Sequence, residues 1–273
     1  MIYLIIFLAI VVIGCLVYID MQTRFFTPSA NKLRVLEYHS ISTDGFEDQI
    51  TISKEKFIKH LDYLKENNYT TMWLSEIDAY QKHQLPLPPR TVVLTFDDGY
   101  VNNYTELFPL LKQYNMKATC FMVLGRIGQN IDWPGKYVNN TMPLMTKDQL
   151  IAISSHIEIA NHTFKHDNYT KISMEQVDED LQKCNEVIAK ENLNVFPALA
   201  YTFGRYYRKK GPQQSELFRL LEKNGIKYAF RIGNRINKFP LKSFYDIERT
   251  DIRGTDSFDD FTTKVRFGRK KLF

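Results

Sequence analysis

The sequence predicts an α/β fold: a (β/α) barrel of about seven parallel strands, behind one N-terminal membrane helix. Three observations carry this. Apolar, β-branched runs alternate with helical stripes seven or eight times, the pattern of a parallel sheet. Polar residues collect just after several of the runs, where barrel chemistry sits. Ile2 to Ile19 is an uncharged stretch of eighteen residues, a length that suits a membrane span.

In order, the expected domains are an anchor at 1–24, a tether at 25–32 and a catalytic domain at 33–273. No Lys or Arg precedes the span, so orientation cannot be read from flanking charge. Leu33 to Tyr38 reads as a first strand ending at His39. Phe57, Leu61 and Leu64 mark a helix that stops at Asn67-Asn68. Tyr69 to Trp73 reads as a second strand, and Ser75 to Asp78 as a capping box opening the next helix. Thr91-Val92-Val93-Leu94-Thr95-Phe96 is a buried third strand that stops at Asp97-Asp98-Gly99. Leu107, Leu110, Leu111 and Tyr114 form a helix stripe, and Ala118 to Leu124 a fourth strand.

Gly125 to Pro143, with Gly128, Trp133 and Gly135, is a long loop of the kind that often lines a site. Thr146 to Gln149 starts a short helix, and Ile157 to Ala160 is a fifth strand. Ser173 caps a helix with Val177, Leu181, Cys184 and Ile188 on one face. Leu199 to Tyr201 is a sixth strand, and Leu217, Leu220 and Leu221 mark a helix that Gly225 ends. Tyr228 to Arg231 and Tyr245 to Glu248 are later strands. Phe258, Phe261 and Val265 mark the final helix, and Arg266 to Lys271 is a basic end.

Composition narrows the function. A net charge of +5, from 36 basic and 31 acidic residues, gives no argument for nucleic acid. Three cysteines make no disulfide framework; Cys120 and Cys184 read as small core residues. Asn-x-Ser/Thr triplets begin at Asn68, Asn103, Asn139, Asn161 and Asn168.

Asp97-Asp98-Gly99 alone is ordinary turn chemistry. His162 and His166 change its weight. If that piece is helical, the two imidazoles share one face and can bind one ion. Two His and one Asp leave open positions for water and substrate, and a second Asp can take a proton from the water. Thr163 stands where an H-E-x-x-H protease has its Glu. The same ligand set serves non-haem iron oxygenases, which usually sit on all-β scaffolds.

Over roughly residues 33 to 262 the chain resembles the polysaccharide deacetylases of carbohydrate esterase family four. Thr95-Phe96-Asp97-Asp98-Gly99 is similar to the first motif of that family and His162-Thr163-Phe164-Lys165-His166 to the second. The resemblance implies a deformed (β/α) barrel and hydrolysis of N-acetyl groups on amino-sugar polymers. It implies Asp98, His162 and His166 as ligands of one divalent ion, with zinc expected, and Asp97 as base. In the third motif, Ala200-Tyr201-Thr202-Phe203-Gly204 has Thr202 where a proline is usual. A late histidine, the general acid of many members, is missing after His166.

An acid is still needed to protonate the leaving amine. His60, His83 and His156 fall away from the strand tips, which leaves His39. Leu36-Glu37-Tyr38-His39-Ser40-Ile41 resembles the branch acting on poly-N-acetylglucosamine, as does Asp251 to Ser257. Asp251 or Asp256 is the expected carboxylate beside His39. The Tyr201 N–H is expected to help the oxyanion, with Phe203 and Gly204 in the same loop. Tyr201, Phe203, Trp133 and Tyr100 are candidate sugar-stacking aromatics. The expectation is a single-pass, extracytoplasmic membrane enzyme. It would remove N-acetyl groups from N-acetylglucosamine units of a cell-surface polysaccharide such as poly-N-acetylglucosamine. Alternatives are peptidoglycan, wall-polymer linkage N-acetylglucosamine, or a carbohydrate-binding module on the same fold.

Overall fold

The computed structural model describes residues 1–133 and 142–269. Gly135, the Asn139 triplet and Lys270-Lys271 of the basic end lie outside the described residues.

Helix α1 (Ile2–Thr23) is exposed, and its Ile2–Met21 stretch is long and apolar enough to cross a membrane. It ends at Arg24 in the left-handed region, φ 54°. Asp20 then accepts hydrogen bonds from the Phe26 and Thr27 amides at 2.8 and 3.0 Å, turning the chain. Phe25 stacks on Phe267, centroids 6.5 Å apart, so the tether meets the domain.

The remaining elements run β1 (Lys32–Tyr38), β2 (Ser40–Ser42), β3 (Thr51–Ser53), α2 (Lys54–Glu66), β4 (Thr70–Thr71), α3 (Leu74–Lys82) and β5 (Thr91–Asp98). A π-turn (Asn103–Leu107) leads into α4 (Phe108–Tyr114), β6 (Ala118–Met122), α5 (Lys147–Ala152), β7 (Ile157–Asn161) and α6 (Met174–Glu191). Then come β8 (Val195–Ala200), a 3-10 turn (Thr202–Gly204), α7 (Pro212–Lys223), β9 (Tyr228–Ile232), β10 (Asn237–Lys238), β11 (Ile247–Asp251) and α8 (Phe258–Phe267).

Seven parallel strands close a ring in the order β1, β5, β6, β7, β8, β9, β11 and back to β1. This is the deformed (β/α) barrel. The expected second strand is not in it. β4 pairs only with Thr91 and Val92, and β6 takes over from Leu94. β1 therefore lies directly on β5, from Arg34–Val92 to Tyr38–Phe96.

Two boundaries moved for physical reasons. β8 begins at Val195, before the predicted Leu199, and runs through Pro197. The β7–β8 register shifts between Ile159 and Asn161, which makes room for a proline in a sheet. β11 runs Ile247–Asp251, not Tyr245–Glu248: its inward phase continues past the apolar Ile247 through the charged Arg249 and Asp251. The α3 box also sits earlier than Ser75: Glu76 accepts from the Trp73 amide at 2.9 Å.

Alternation sorts the core. Leu33, Val35, Val93, Phe121, Ala160, Ala198, Ala200, Phe230 and Ile247 pack as one cluster inside the barrel. Residues of the opposite phase, such as Leu36, Leu94, Phe96 and Cys120, pack under the helices. Carried to the C-terminal strand ends, the interior phase reaches Glu37, Asp97 and Arg249 in place of apolar residues.

Candidate active site

Asp97 continues the inward phase of Val93 and Thr95. Asp98 should then face outward, but its φ of +73° turns it back toward the interior. Gly99 follows at φ +85°, and a Cβ there would overlap Met122 Sδ, so only glycine fits. The two carboxylates thus reach one cavity from different angles, as expected.

The His162–His166 segment is not helical, which corrects the one-face expectation. Thr163 and His166 have φ of +69° and +64°. Asn161 Oδ1 accepts from the Thr163 amide (2.7 Å) and Thr163 Oγ1 from the His166 amide (2.9 Å). These bonds wind the loop so that the rings converge with centroids 5.1 Å apart. Asp180 of α6 fastens it from below, accepting from the Phe164 amide (3.0 Å), the Lys165 amide (3.3 Å) and the Tyr169 hydroxyl (2.7 Å).

His162 Nδ1 lies 2.9 Å from the Ala200 carbonyl. A carbonyl only accepts, so Nδ1 carries the proton and Nε2 presents a lone pair. That Nε2 is 3.4 Å from Asp98 Oδ1, and His166 Nε2 is 3.3 Å from the same oxygen. Asp98 Oδ1 is buried and makes no hydrogen bond. Three ligand atoms of Asp98, His162 and His166 lie within 4.8 Å of one another. A buried, unpartnered carboxylate oxygen facing two imidazole nitrogens fits a divalent cation. Burial pushes the Asp98 carboxyl up, and the two histidines outweigh it, holding it well below its usual range. Burial also lowers both imidazoles. It prevails for His166, while Asp97 and Asp98 reverse it for His162.

Asp97 is held differently. Arg249, fully buried, donates from Nη1 and Nη2 to its two oxygens at 2.6 and 2.7 Å. Arg249 Nε sits 3.2 Å from Glu37 Oε2. Burial raises the Asp97 carboxyl; Arg249 and His162 more than offset this and keep it low. For Glu37 burial wins over Arg249 and pushes it up to about 8. Sequence reading missed both Glu37 and Arg249. The signal was alternation: Glu37 stands two residues after Val35, and Arg249 two after Ile247, so both point inward.

His39 lines the same cavity, of about 410 Å3, with Asp97, Asp98, His162 and His166. A ring nitrogen of His39 lies within 4.8 Å of carboxylate oxygens of both Glu37 and Asp97. Glu37 is therefore a carboxylate neighbour that the sequence reading did not name. Asp251 also lines the cavity, bonded to Arg253 Nε at 2.7 Å. Asp256 is instead committed to Lys264 Nζ (2.5 Å) and the Arg253 amide (2.9 Å).

Two aromatic expectations fail. Tyr201 is buried, its hydroxyl donates to the Tyr245 carbonyl (2.9 Å), and its amide donates to the Phe230 carbonyl (2.9 Å). Neither its ring nor its amide is free for substrate. Tyr100 is buried in the core cluster beneath the helices. Trp133 is buried too, but it lines the cavity and stacks on His166 at 4.3 Å. Phe203 is half exposed, packs edge-on to His166 at 4.8 Å, and has φ +58°. Gly204 lines the cavity beside it. Thr202 is buried and donates to the Asp167 carbonyl at 2.5 Å, so this departure from the third motif ties that loop to the histidine loop.

A family model described as polysaccharide deacetylase matches residues 84–229. A Bacillus subtilis protein, the putative polysaccharide deacetylase YxkH, is 29% identical over 66% of this chain and 60% of its own length. The Staphylococcus aureus poly-beta-1,6-N-acetyl-D-glucosamine N-deacetylase is 26% identical over 75% of this chain and 73% of its own. The solved structure of IcaB from Ammonifex degensii superposes with a TM-score of 0.69 at 20% identity, covering 87% of this chain and 97% of that one. Its likeness speaks to the fold. The matched stretch holds Asp97, Asp98, His162, His166 and the Phe203 turn, and with that the chain belongs to the polysaccharide deacetylase family.

Proposed function

We propose that the protein is a metal-dependent hydrolase that removes N-acetyl groups from N-acetylglucosamine units of a cell-surface polysaccharide. One observation carries the reading: the unpartnered Asp98 Oδ1 facing two imidazole nitrogens, beside an Asp97 held by the Arg249 guanidinium. Membership of the family and the Staphylococcus relative's stated activity support poly-N-acetylglucosamine as the substrate.

Asp98, His162 and His166 would hold the ion. Two imidazole nitrogens and one carboxylate oxygen suit zinc. When bound, the ion supplies Lewis acidity, making water a nucleophile near neutral pH and stabilising charge on a carbonyl oxygen. Asp97 takes the proton of the attacking water. The bidentate Arg249 pair fixes its carboxylate plane and keeps it ionised, while a carboxylate's further lone pairs remain to accept. His39 gives a proton to the departing amine, and its neighbour Glu37 orients it. With the Tyr201 amide committed, the oxyanion donor moves to the start of the next turn. We assign it to the Phe203 amide, in a turn whose first amides lack partners within it. Trp133 and Gly204 shape the wall against which the acetamide is held.

Helix α1 (within 1–24) serves as a single-pass anchor, 25–32 as the tether and 33–273 as an extracytoplasmic catalytic domain. A second reading, wall-polymer linkage N-acetylglucosamine, is favoured by the cationic groove described below.

Acetate release from N-acetylglucosamine polymers tests the proposal. Asp97→Asn is expected to lose about 10²–10⁴ in rate with metal retained, the range for a general base. His39→Ala should fall less, and chelation should abolish turnover until zinc is returned. Full activity of Asp97→Asn removes the base assignment. Retained glycan binding with no acetate from any polymer favours a binding module.

A further inference from the structure

The cavity at the candidate centre continues into a second groove of about 620 Å3. Trp133, His166, Phe203 and Arg205 line both. The two compartments differ in charge. Glu37, Asp97, Asp98 and Asp251 wall the centre, against Arg205 and Arg253. The groove has Arg126, Lys165, Lys171 and Arg205 against Asp132 and Asp167. Arg126 and Asp132 cancel through a two-bond ion pair at 2.9 and 2.5 Å. Lys165, Lys171 and Arg205 are exposed, and among the described residues their side chains form no hydrogen bond or ion pair. Three cations therefore face the groove against Asp167. Arg208, Lys209 and Lys210 follow Arg205 and are exposed as well, extending the basic character along that rim.

We propose that this groove is an anion-accepting subsite for the glycan unit next to the one being deacetylated, recognising a phosphate or carboxylate on that unit. The inference rests on the deacetylase reading for its glycan, not for its charge. Beside a neutral neighbour the three cations stay bonded to water. An anionic one gains charge-assisted hydrogen bonds and is drawn in from a distance. A neighbour already stripped of its acetyl group carries an ammonium and is repelled. The groove thus disfavours consecutive deacetylation along one chain and favours sparse removal beside acidic groups.

The test uses three N-acetylglucosamine oligomers with the full chain: neutral, phosphate-bearing and carboxylate-bearing. For wild type, kcat/KM should be about tenfold higher on at least one anionic oligomer, from several exposed charged contacts of modest individual strength. In Lys165→Gln/Lys171→Gln that preference should collapse through KM, and Lys171→Arg should retain it. The anionic arm with the higher value identifies the group recognised. Equal kcat/KM on all three oligomers, or an unchanged preference in the double variant, overturns the subsite. Equilibrium binding of the same oligomers to Asp97→Asn decides it separately. Tighter anionic binding that the lysine changes abolish supports the groove even if no oligomer releases acetate, a result that would overturn only the deacetylase reading. Equal binding of neutral and anionic oligomers overturns the groove whatever the turnover.

Discussion

Two neighbouring aspartates are held by different means. Asp97 has each oxygen bonded once by Arg249, which also leans on Glu37. Asp98, the next residue, leaves an oxygen buried and without a hydrogen bond. The first arrangement is complete in the protein alone. The second is complete only with a cation. Saturation marks a side chain that must be oriented, and deficiency marks one that must bind.

That contrast can be broken by substitution. Arg249→Met strips the guanidinium from the buried Asp97 carboxylate and from Glu37 beside it, and should cost about 3–5 kcal/mol of stability, with or without metal, in denaturant unfolding. Retained stability would mean that the Asp97 half is not saturated as described. Zinc should act on the other half: at a hundredfold excess over Kd it should stabilise wild type by about 2.7 kcal/mol, read as a rise in Tm. Asp98→Ala should show no such rise. In chelator, Asp98→Ala should cost less than Arg249→Met, because it removes an oxygen that makes no hydrogen bond and faces only two imidazoles. A large loss would give Asp98 a structural role. Smallest is Thr202→Val, which deletes the bond to the Asp167 carbonyl and should cost about 1 kcal/mol while loosening the Phe203 turn, raising KM more than stability suggests.

The contrast also explains what the sequence made legible. Asp97-Asp98 and His162–His166 lie in short contiguous motifs, so residue type and spacing alone pointed to them. Glu37 and Arg249 are single charged residues inside strands whose apolar signal they interrupt. Arg249 hid the true end of β11, and both showed only as members of the inward phase. The helical reading of the two histidines failed for another reason. Spacing of four allows one helical face, but Asn161 and Thr163 side chains bond the backbone locally and wind it left-handed. Tyr201 was misjudged because strand β8 ends one residue before it, and its amide still joins the sheet at Phe230. The barrel itself was legible from alternation; closure by β1 on β5 was not, since a two-residue β4 looks like a full strand in an apolar window.

The first strand has a consequence for reach. β1 leaves the tether at Lys32 and climbs to Tyr38 beside the centre, while α8 returns to Phe267, against Phe25. Seven residues of strand, tilted as in barrels, rise about 18 Å. With α1 in a bilayer, the barrel stands on its N-terminal rim and opens upward. Under the proposed anchoring the molecule would be a short post whose open end faces away from the lipid, toward material that passes overhead and not toward headgroups at its foot.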